Sequence, residues 1–136
     1  MVQIKGVEVK DLEVHKDNRG WLAEIFRPED VNKTMKGQIT ITTALPGIVK
    51  ANHYHTRKFE LYCVIQGNMK LRLKDMKTGK TEEMILSEES LKIVKIGPNI
   101  AHGFKNAGNN MLWVLMYINE PFDKDDPDTF PETVIE

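Results

Sequence analysis

Three histidines and one glutamate stand in two short stretches of the chain, and they have the side-chain types that bind metal ions. His53 and His55 are one residue apart, so their side chains point to the same face if this stretch is a β-strand. Glu60 follows near the start of an apolar run, and His102 lies in a second stretch, four residues before Asn106. Imidazoles and a carboxylate that converge on one point suit a divalent first-row metal. These donors admit zinc, iron, nickel or manganese.

The spacing of these residues follows a regular pattern with a glycine at either end. From Gly47 to Gly67 the sequence reads G-x5-H-x-H-x4-E-x6-G, and residues 97–106, GPNIAHGFKN, supply the third histidine. The two stretches resemble the two sequence motifs of the cupin superfamily. The resemblance implies an all-β fold, an antiparallel jelly-roll barrel (double-stranded β-helix), formed by a single domain over residues 1–136. It also implies four metal ligands: His53, His55, Glu60 and His102.

The hydrophobic pattern of the rest of the chain favours strands over helices. Apolar and polar residues alternate in most segments, and turns that contain Gly, Asn or Pro separate these segments. One short helical turn is expected at residues 28–33, and helix should stay below about a tenth of the chain. The acidic segment after Asn119 is expected to be irregular. The predicted strands span residues 2–14 (with a break at Gly6), 21–26, 38–45, 48–55, 59–65, 69–74, 81–86, 91–96, 111–119 and a segment that begins at His102.

Length, charge and cysteine content exclude several classes of protein. The 136 residues suit one domain, and the net charge of −1 gives no reason to expect nucleic acid or an anionic membrane as a partner. Cys63 is the single cysteine, and its apolar surroundings favour a core position over a catalytic one. No apolar run has the length of a membrane span and the N-terminus lacks a signal-peptide core, so a cytoplasmic protein is expected. A small barrel leaves edge strands to cover, which favours a homodimer.

A resemblance to a narrower family begins near the N-terminus. Residues 17–24, DNRGWLAE, resemble the D-x-R-G-x-L/F-x-E motif of the dTDP-4-dehydrorhamnose 3,5-epimerases, which are cupins that act on nucleotide sugars. This resemblance implies that Arg19 and Glu24 face a sugar-nucleotide pocket. Arg57 and Lys58 follow the second histidine, and two cations at the rim of a pocket suit a diphosphate. The expected partner is therefore a nucleotide sugar.

A second resemblance covers residues 17–134 and includes the C-terminal segment. GQITITTALPGIVKANHYH and, later, NEPFDKDDPDTF look like parts of the C-terminal cupin half of the bifunctional capsular-polysaccharide enzymes. Those enzymes act on a UDP-2-acetamido-2,6-dideoxy-4-hexulose, and their cupin half epimerises beside the 4-keto group and binds zinc. This chain has Lys50 and Ala51 where both families have Arg-Gly, so Lys50 supplies charge to substrate without a bidentate fork. The reductase half has no counterpart here, so no nicotinamide cofactor is expected.

Epimerisation beside a ketone requires three groups in one pocket. A base removes a proton, an electrophile stabilises the enolate oxygen, and an acid returns a proton from the other face. The resemblance to the rhamnose epimerases assigns the base to His53 and the acid to Tyr117. A metal-bound His53 cannot also be a free base, which leaves three alternatives. Either the metal is the electrophile and another group is the base, or the metal is structural, or His53 is released from the metal. Tyr62 and His15 are further candidates for the base.

The predicted function is epimerisation of a nucleotide-linked 4-keto-6-deoxysugar for surface polysaccharide biosynthesis, and two other classes remain open. One is a metal-dependent cupin of a different reaction, such as an oxygenase or a 3,4-ketoisomerase of nucleotide sugars. The other is a cupin that binds a sugar or a metal without turnover, which the change at Lys50 and Ala51 favours over a fully typical epimerase. Metal content separates iron oxygenases from zinc proteins, and deuterium uptake from solvent separates an enzyme from a binding module.

Overall fold

The computed structural model describes residues 2–31, 34 and 36–136, and nearly all regular structure in this part of the chain is antiparallel β-sheet. A single helical turn, α1, is present, so the all-β prediction is confirmed. Within the described residues no helix is long and apolar enough to cross a membrane. The elements are β1 (Val7–Asp11), β2 (Val14–Asp17), β3 (Gly20–Ala23), α1 (Pro28–Val31), β4 (Gln38–Ala44), β5 (Val49–Tyr54), β6 (Glu60–Gln66), β7 (Asn68–Asp75), β8 (Thr81–Ser87), β9 (Lys92–Ile96), β10 (Ile100–Asn106), β11 (Leu112–Ile118) and β12 (Phe130–Pro131).

Two five-stranded sheets form the sandwich. The first sheet has the strand order β1-β9-β6-β11-β4, the second has the order β12-β5-β10-β7-β8, and β2 pairs with β3 in a separate hairpin. Chain neighbours such as β5 and β6, or β10 and β11, lie in opposite sheets, so the chain crosses between the sheets repeatedly. This is the connectivity of a jelly roll, in which double-sheet packing protects the strand edges.

The inner faces of the two sheets form the core because apolar residues alternate with polar ones along the strands. In β7 the alternation buries Met69, Leu71 and Leu73 completely, whereas the three cations between and after them remain at least partly accessible. Leu112 and Val114 of β11 are equally buried from the opposite sheet. Burial of each such side chain contributes about 1.5–3 kcal/mol, so this interior is the main source of stability.

A β-bulge interrupts the pairing of β5 with β10. His53 pairs with His102, but the next pair is Ala51 with Gly103, so Asn52 is an extra residue in β5. Ala51 and Asn52 both adopt positive φ angles, 70° and 56°. Asparagine tolerates the left-handed region, whereas the Cβ of alanine makes it costly. The strain therefore falls on Ala51, the position where both resembling families have glycine.

Some predicted boundaries differ from those of the structure. The predicted break at Gly6 is confirmed as a turn, in which Gly6 has a φ of 95°, but the residues before it form no strand, and the N-terminal strand begins at Val7. The strand predicted at residues 21–26 ends at Ala23, since its only partner, β2, has four residues. The helical turn is confirmed at Pro28–Val31, and its last two predicted positions lie outside the described residues. The C-terminal segment is not wholly irregular, because Phe130–Pro131 pairs with β5.

We expect the substitution Ala51→Gly to stabilise the protein. Glycine removes the cost of a left-handed alanine, about 1–2 kcal/mol, and loses about 0.4–1 kcal/mol through the greater entropy of the unfolded chain. The net gain should be about 0.5–1 kcal/mol in the free energy of unfolding, measured by urea denaturation. The matched control is Ala101→Gly in β10, a buried position outside the set of positive φ angles, which should destabilise. A loss of stability in Ala51→Gly would contradict the prediction.

Candidate functional site

The four predicted metal ligands meet between the two sheets. His53 lies on β5 and His55 directly follows the end of this strand, whereas His102 lies on the adjacent β10 and pairs directly with His53. Glu60 begins β6, which belongs to the opposite sheet. One ligand atom of each residue lies within 4.8 Å of the others. The cluster therefore spans the interior of the sandwich, and three of its four members are buried.

Glu60 holds the histidines together through both carboxylate oxygens. His55 Nε2 lies 2.9 Å from Glu60 Oε1, and His102 Nε2 lies 3.1 Å from Glu60 Oε2. His53 Nε2 lies farther away, 3.9 Å from Oε1. Each oxygen thus has its own short imidazole contact, and the ring of His53 is the least constrained by the carboxylate.

The outer nitrogens of two histidines are fixed by main-chain carbonyls. Nδ1 of His55 lies 2.7 Å from the carbonyl O of Asp128, and Nδ1 of His102 lies 3.0 Å from the carbonyl O of Ile100. A carbonyl only accepts, so we assign a proton to Nδ1 in both rings. This assignment directs both Nε2 atoms toward Glu60. Without a metal, each Nε2 must carry a proton to donate to the carboxylate, and a bound metal would take the place of that proton.

His53 supplies the observation that tests whether the cluster fits a metal. Its Nε2 is the only buried side-chain nitrogen or oxygen in the described part of the chain that lacks a hydrogen-bond partner. Such an atom is costly unless another group satisfies it. Three imidazole nitrogens and one carboxylate match the donor preference of zinc and of other first-row divalent ions. The residues therefore fit a divalent metal, and a cation among them would give Nε2 of His53 a partner.

The electrostatics of the cluster separate the three histidines. Burial, assisted by the charge on His102, lowers the pKa of His53 to about 4, which keeps its imidazole neutral at neutral pH. Burial alone would lower the pKa of His55, but its hydrogen bond with Glu60 and the carboxylate charge raise it overall. Burial would raise the pKa of Glu60, yet the hydrogen bonds from His102 and His55 hold it well below its usual range. Glu60 is therefore ionised, and His53 is the neutral imidazole.

A cavity of about 200 Å³ opens beside the cluster, and Glu60 forms part of its wall. Register explains which residues line it. Glu60 pairs with Ile118, which pairs with Gln38, and the parallel row on the same face contains Met116 and Thr40. Both rows face the interior because strand neighbours alternate between faces. The other lining residues are Lys58, Tyr117, Phe122 and Thr129.

Tyr117, the predicted acid, is not brought to the histidines. It pairs with Leu61, which lies between the inward-facing Glu60 and Tyr62, and its ring therefore belongs to the outer face of the sheet. The ring packs in a small apolar cluster with Leu61 and Ile93, and its hydroxyl donates to the carbonyl O of Lys36. Tyr117 borders the cavity, but the inward position of this strand is occupied by Met116. Alternation, which a motif match does not reveal, explains the difference.

The predicted substrate-binding cations have partners within the chain. Nε of Arg57 lies 3.0 Å from both carboxylate oxygens of Glu120, and one Nη lies 2.9 Å from Asp126. Lys58 is buried in the cavity wall, and its Nζ donates to the carbonyl O of Pro127 at 3.1 Å. Lys50 donates from Nζ to the hydroxyl of Thr42 at 3.0 Å. Lys58 therefore lies inside the site rather than at its rim.

Arg19 and Glu24 lie away from the cluster in this chain. Arg19 belongs to the turn of the β2–β3 hairpin and pairs with Asp17, and Glu24 pairs with Arg27 at 2.7 Å. Both side chains are exposed, and neither lines the cavity beside Glu60. Arg19 instead borders a separate surface pocket together with His15, Asp17, Trp21 and Leu22.

The two further base candidates differ in position. His15 lies in β2 with an exposed side chain, far along the chain from the cluster and outside both main sheets. Tyr62 lies inside, with its ring centroid 5.7 Å from that of His102. Burial and the neighbouring charge of Glu60, with which it hydrogen-bonds, raise the pKa of Tyr62 well above its usual value. Tyr62 therefore stays protonated and acts as a hydrogen-bond donor rather than a base.

Sequence reasoning missed Asp128, which supports the loop between His55 and Glu60. Its buried carboxylate accepts hydrogen bonds from the main-chain N–H groups of Thr56, Arg57 and Lys58 at 2.9–3.1 Å. Although burial raises the pKa of Asp128, these bonds and the Thr56 hydroxyl hold it far below its usual range. The sequence feature that could have indicated this role is Pro-Asp-Thr at residues 127–129, because Asp next to Pro is a frequent turn residue.

Comparison with known proteins gives matches over most of the chain. A family model described as the polysaccharide biosynthesis C-terminal domain matches residues 15–130. The UDP-2-acetamido-2,6-beta-L-arabino-hexul-4-ose reductase of Pseudomonas aeruginosa is 32% identical over 88% of this chain, which spans only 31% of that protein. The spore coat polysaccharide biosynthesis protein SpsL of Bacillus subtilis is 29% identical over 92% of this chain and 86% of its own length.

A solved structure confirms the jelly-roll cupin fold. The dTDP-6-deoxy-D-glucose-3,5-epimerase RmlC of Legionella pneumophila, in complex with dTDP-4-keto-L-rhamnose, superposes with a TM-score of 0.83. The match covers 98% of this chain and 76% of that structure at 18% identity. At this identity the similarity shows the fold, and it confirms the sandwich derived above from strand alternation.

We expect one zinc ion to bind per chain at the cluster. Because a metal binds the folded state, zinc at about 100 times its dissociation constant should raise the free energy of unfolding by about 2.7 kcal/mol. His55→Ala should lose both the ion, measured by elemental analysis, and the stabilisation, measured by denaturation with zinc. His15→Ala removes an exposed histidine and is the matched control. Full zinc content in His55→Ala would refute the site.

The low pKa of His53 predicts the acid stability of the metal-free protein. Below about pH 6.5 the unfolded chain protonates this histidine, whereas the folded chain resists protonation down to about pH 4. The free energy of unfolding therefore decreases as the pH falls from about 6.5 to about 4, and this decrease is the contribution of His53. His53→Gln should remove this contribution and flatten the denaturation profile in that window, with His15→Gln as the control. Parallel profiles for wild type and His53→Gln would contradict the assignment.

Proposed function

The chain belongs to the polysaccharide biosynthesis C-terminal domain family, and from this premise we propose that it is a nucleotide-sugar epimerase. It would exchange and invert a proton on a carbon beside the 4-keto group of a nucleotide-linked deoxysugar. The observation that carries the proposal is that Glu60, which holds the three histidines, also lines an interior cavity. The spore coat polysaccharide biosynthesis relative supports a role in polysaccharide assembly. The RmlC structure, bound to dTDP-4-keto-L-rhamnose, supports the 4-keto substrate class.

The cavity and the cluster beside it supply the groups that this chemistry needs. A ketone acidifies the protons on its neighbouring carbons, and a base must accept one of them. We assign this role to His53, whose Nε2 lies 3.9 Å from the cavity-lining Glu60 and whose imidazole is neutral. Its lowered pKa of about 4 makes it a weak base for this step. Lys58 lines the same cavity, and its buried ammonium can donate a hydrogen bond to the oxygen on which negative charge develops. A divalent metal held by His53, His55, Glu60 and His102 would supply a Lewis acid for a substrate oxygen. His53 acts as the base when it does not ligate such an ion.

The mouth of the cavity suits the nucleotide part of the substrate. Phe122 is 67% exposed and lines both the cavity beside Glu60 and an adjoining groove of about 820 Å³. An exposed aromatic ring offers a face for stacking with a base. Three cations of the same groove, Lys36, Arg57 and Lys124, can contact a diphosphate. The groove is also lined by four carboxylates, Glu120, Asp123, Asp125 and Asp126, and two of these already pair with Arg57. We propose that the sugar enters the cavity while the nucleotide crosses Phe122.

A homodimer belongs to this proposal. Ile39 and Ile41 are 68% and 55% exposed on the outer face of β4, which is an edge strand of the first sheet. An exposed apolar edge favours association. Because the β2–β3 hairpin stands apart from the main sheets, Arg19 and Glu24 would contact substrate across the dimer, in the site of a second copy. Lys50, near the strand edges of β4 and β5, keeps its proposed role in binding the substrate.

A second candidate, a 3,4-ketoisomerase, is favoured by the position of Tyr117. Its hydroxyl donates to the carbonyl O of Lys36 and its ring packs on the outer face of the sheet. A ketoisomerase takes a proton from C3 and delivers one to C4, while O4 gains a proton and the O3 hydroxyl loses one as the carbonyl moves from C4 to C3. One base can perform both transfers on the same face of the sugar, so this reaction does not need an acid on the opposite face.

We expect the protein to exchange solvent deuterium into a 4-keto sugar nucleotide. The assay incubates dTDP- and UDP-linked 4-keto-6-deoxysugars in D₂O and reads each carbon by NMR. Loss of an acid–base group typically costs about 10²–10⁴ in rate, so His53→Gln should slow the exchange by that factor. Tyr117→Phe is the informative comparison: unchanged exchange with slower inversion would assign it as the acid.

The product identifies the reaction. Deuterium at an inverted carbon supports the epimerase, and a 3-keto product supports the ketoisomerase. If no substrate of either nucleotide takes up deuterium with the zinc-loaded or the metal-free protein, the enzyme proposal is wrong and a sugar- or metal-binding module takes its place. Lys77→Gln, in the exposed turn between β7 and β8, should match the wild type in every assay.

A further inference from the structure

The bulge at Asn52 decides which face of β5 carries the metal-binding histidines. Lys50 pairs with Phe104, an inward-facing core residue, and Ala51 pairs with Gly103. In a regular strand successive side chains point to opposite faces, so with Lys50 on the inner face His53, three residues later, would point outward. The extra residue, Asn52, changes the phase by one, so that His53 pairs with His102 on the inner face.

The side chain of Asn52 is fastened to the C-terminal strap, which we define as residues 127–136. Its Oδ1 accepts from the main-chain N–H groups of Val134 and Ile135 at 2.9 and 3.2 Å. Its Nδ2 donates to the carbonyl O of Ile135 at 2.9 Å, and its own carbonyl accepts from the N–H of Glu132 at 2.9 Å. Four hydrogen bonds thus bind the bulge residue to one short segment.

The Asn52 side chain is closely packed against Gly103 of β10 and Ile135 of the strap. A side chain at Gly103, the residue across from the bulge, would overlap Oδ1 of Asn52 and approach Cγ2 of Ile135 to 2.8 Å. Ile135 itself is buried, which anchors the end of the strap. The amide of Asn52 is therefore held between the second sheet and the strap.

The same strap also contacts the other parts of the site. The carbonyl of Asp128 accepts from His55 Nδ1, and its carboxylate holds the loop at residues 56–58. Phe130–Pro131 pairs with Tyr54 and His53. These contacts follow one another along the strap. Together with the hydrogen bonds to Asn52, they fix the backbone on either side of His53 and the ring of His55.

We propose that Asn52 is a positioning residue: through its hydrogen bonds to the C-terminal strap it holds the bulge that aims His53 at Glu60. The proposal rests on the metal site of the proposed function. The side chain of Asn52 bonds to Val134 and Ile135 rather than to the clustered residues, and it acts through the orientation of His53. Outer-shell partners of metal ligands typically contribute a factor of about 10–100 to metal affinity.

The test compares Asn52→Gly with Val134→Pro in the full chain. Glycine keeps the left-handed backbone and removes the three side-chain hydrogen bonds. Proline at position 134 removes the N–H group that donates to Oδ1 of Asn52. Each variant should bind Co²⁺ more weakly, by about 10–100-fold for Asn52→Gly, and should change the visible absorption spectrum of bound Co²⁺ because one imidazole ligand is lost or displaced. The double variant should be no weaker than Asn52→Gly alone, since both changes remove one interaction.

Controls separate positioning from general stability. Glu132→Gln breaks the strap's 2.8 Å ion pair with Lys74 and leaves the Asn52 side-chain bonds in place, so its Co²⁺ affinity and spectrum should match the wild type. Asn52→Asp keeps the acceptor for two N–H groups and should fall between wild type and Asn52→Gly. Wild-type affinity and spectrum in both Asn52→Gly and Val134→Pro would overturn the proposal, and so would equal losses in Glu132→Gln. A failure of Asn52→Gly to fold would overturn it too, by assigning the residue to the fold.

A failure of the metal site itself gives a different result. If the wild type binds no divalent metal, the metal site is wrong, and the positioning role is then read from the metal-free protein. Amide hydrogen exchange at residues 49–54 should rise at least about tenfold in Asn52→Gly and in Val134→Pro, and not in Glu132→Gln. Unchanged exchange at these residues in both variants would refute the positioning role independently of any metal.

Discussion

The carboxylate of Glu60 is the group on which the site depends. It is buried, and burial of an ionised carboxylate is unfavourable unless hydrogen bonds satisfy it. His55 and His102 provide these bonds, one to each oxygen, across the space between the two sheets. The same contacts hold the pKa of Glu60 well below its usual range and raise that of His55. The polar centre of the barrel is therefore a mutually satisfied network with one open position, Nε2 of His53.

The network needs support from behind, because imidazole rings that are free to rotate would lose these contacts. Main-chain carbonyls of Ile100 and Asp128 fix two of the rings. Asp128 belongs to the C-terminal segment, which also caps the loop between His55 and Glu60 through its carboxylate. A segment with few buried side chains thus acts through hydrogen bonds rather than through hydrophobic area. Its contribution is to orientation, and the apolar core of the two sheets supplies most of the stability.

Strand faces explain why the site contains some expected residues and lacks another. Met116 and Tyr117 are neighbours on β11, so they must lie on opposite faces of the sheet. Register with β6 gives the inner face to Met116, opposite Tyr62, and the outer face to Tyr117, opposite Leu61. Lys58 shows a different case, because a residue expected at the rim of the pocket is buried in the cavity wall by the fold of the loop over Asp128. Strand phase thus decides the position of Tyr117, and a long-range contact of the loop decides that of Lys58.

The amino-acid sequence by itself determined the strand pattern and, through its resemblance to the cupin motifs, the jelly-roll class and the four residues that cluster, His53, His55, Glu60 and His102. These properties depend on local alternation and on spacing within short segments, which a sequence states directly. Only the tertiary structure decided that Tyr117 faces outward, that Lys58 lies inside, and that Asn52 and Asp128 fasten the C-terminal segment behind the histidines. Those properties depend on a bulge, on register between strands, and on contacts between residues more than seventy positions apart. No local pattern encodes such relations, because each is set by where two distant segments meet.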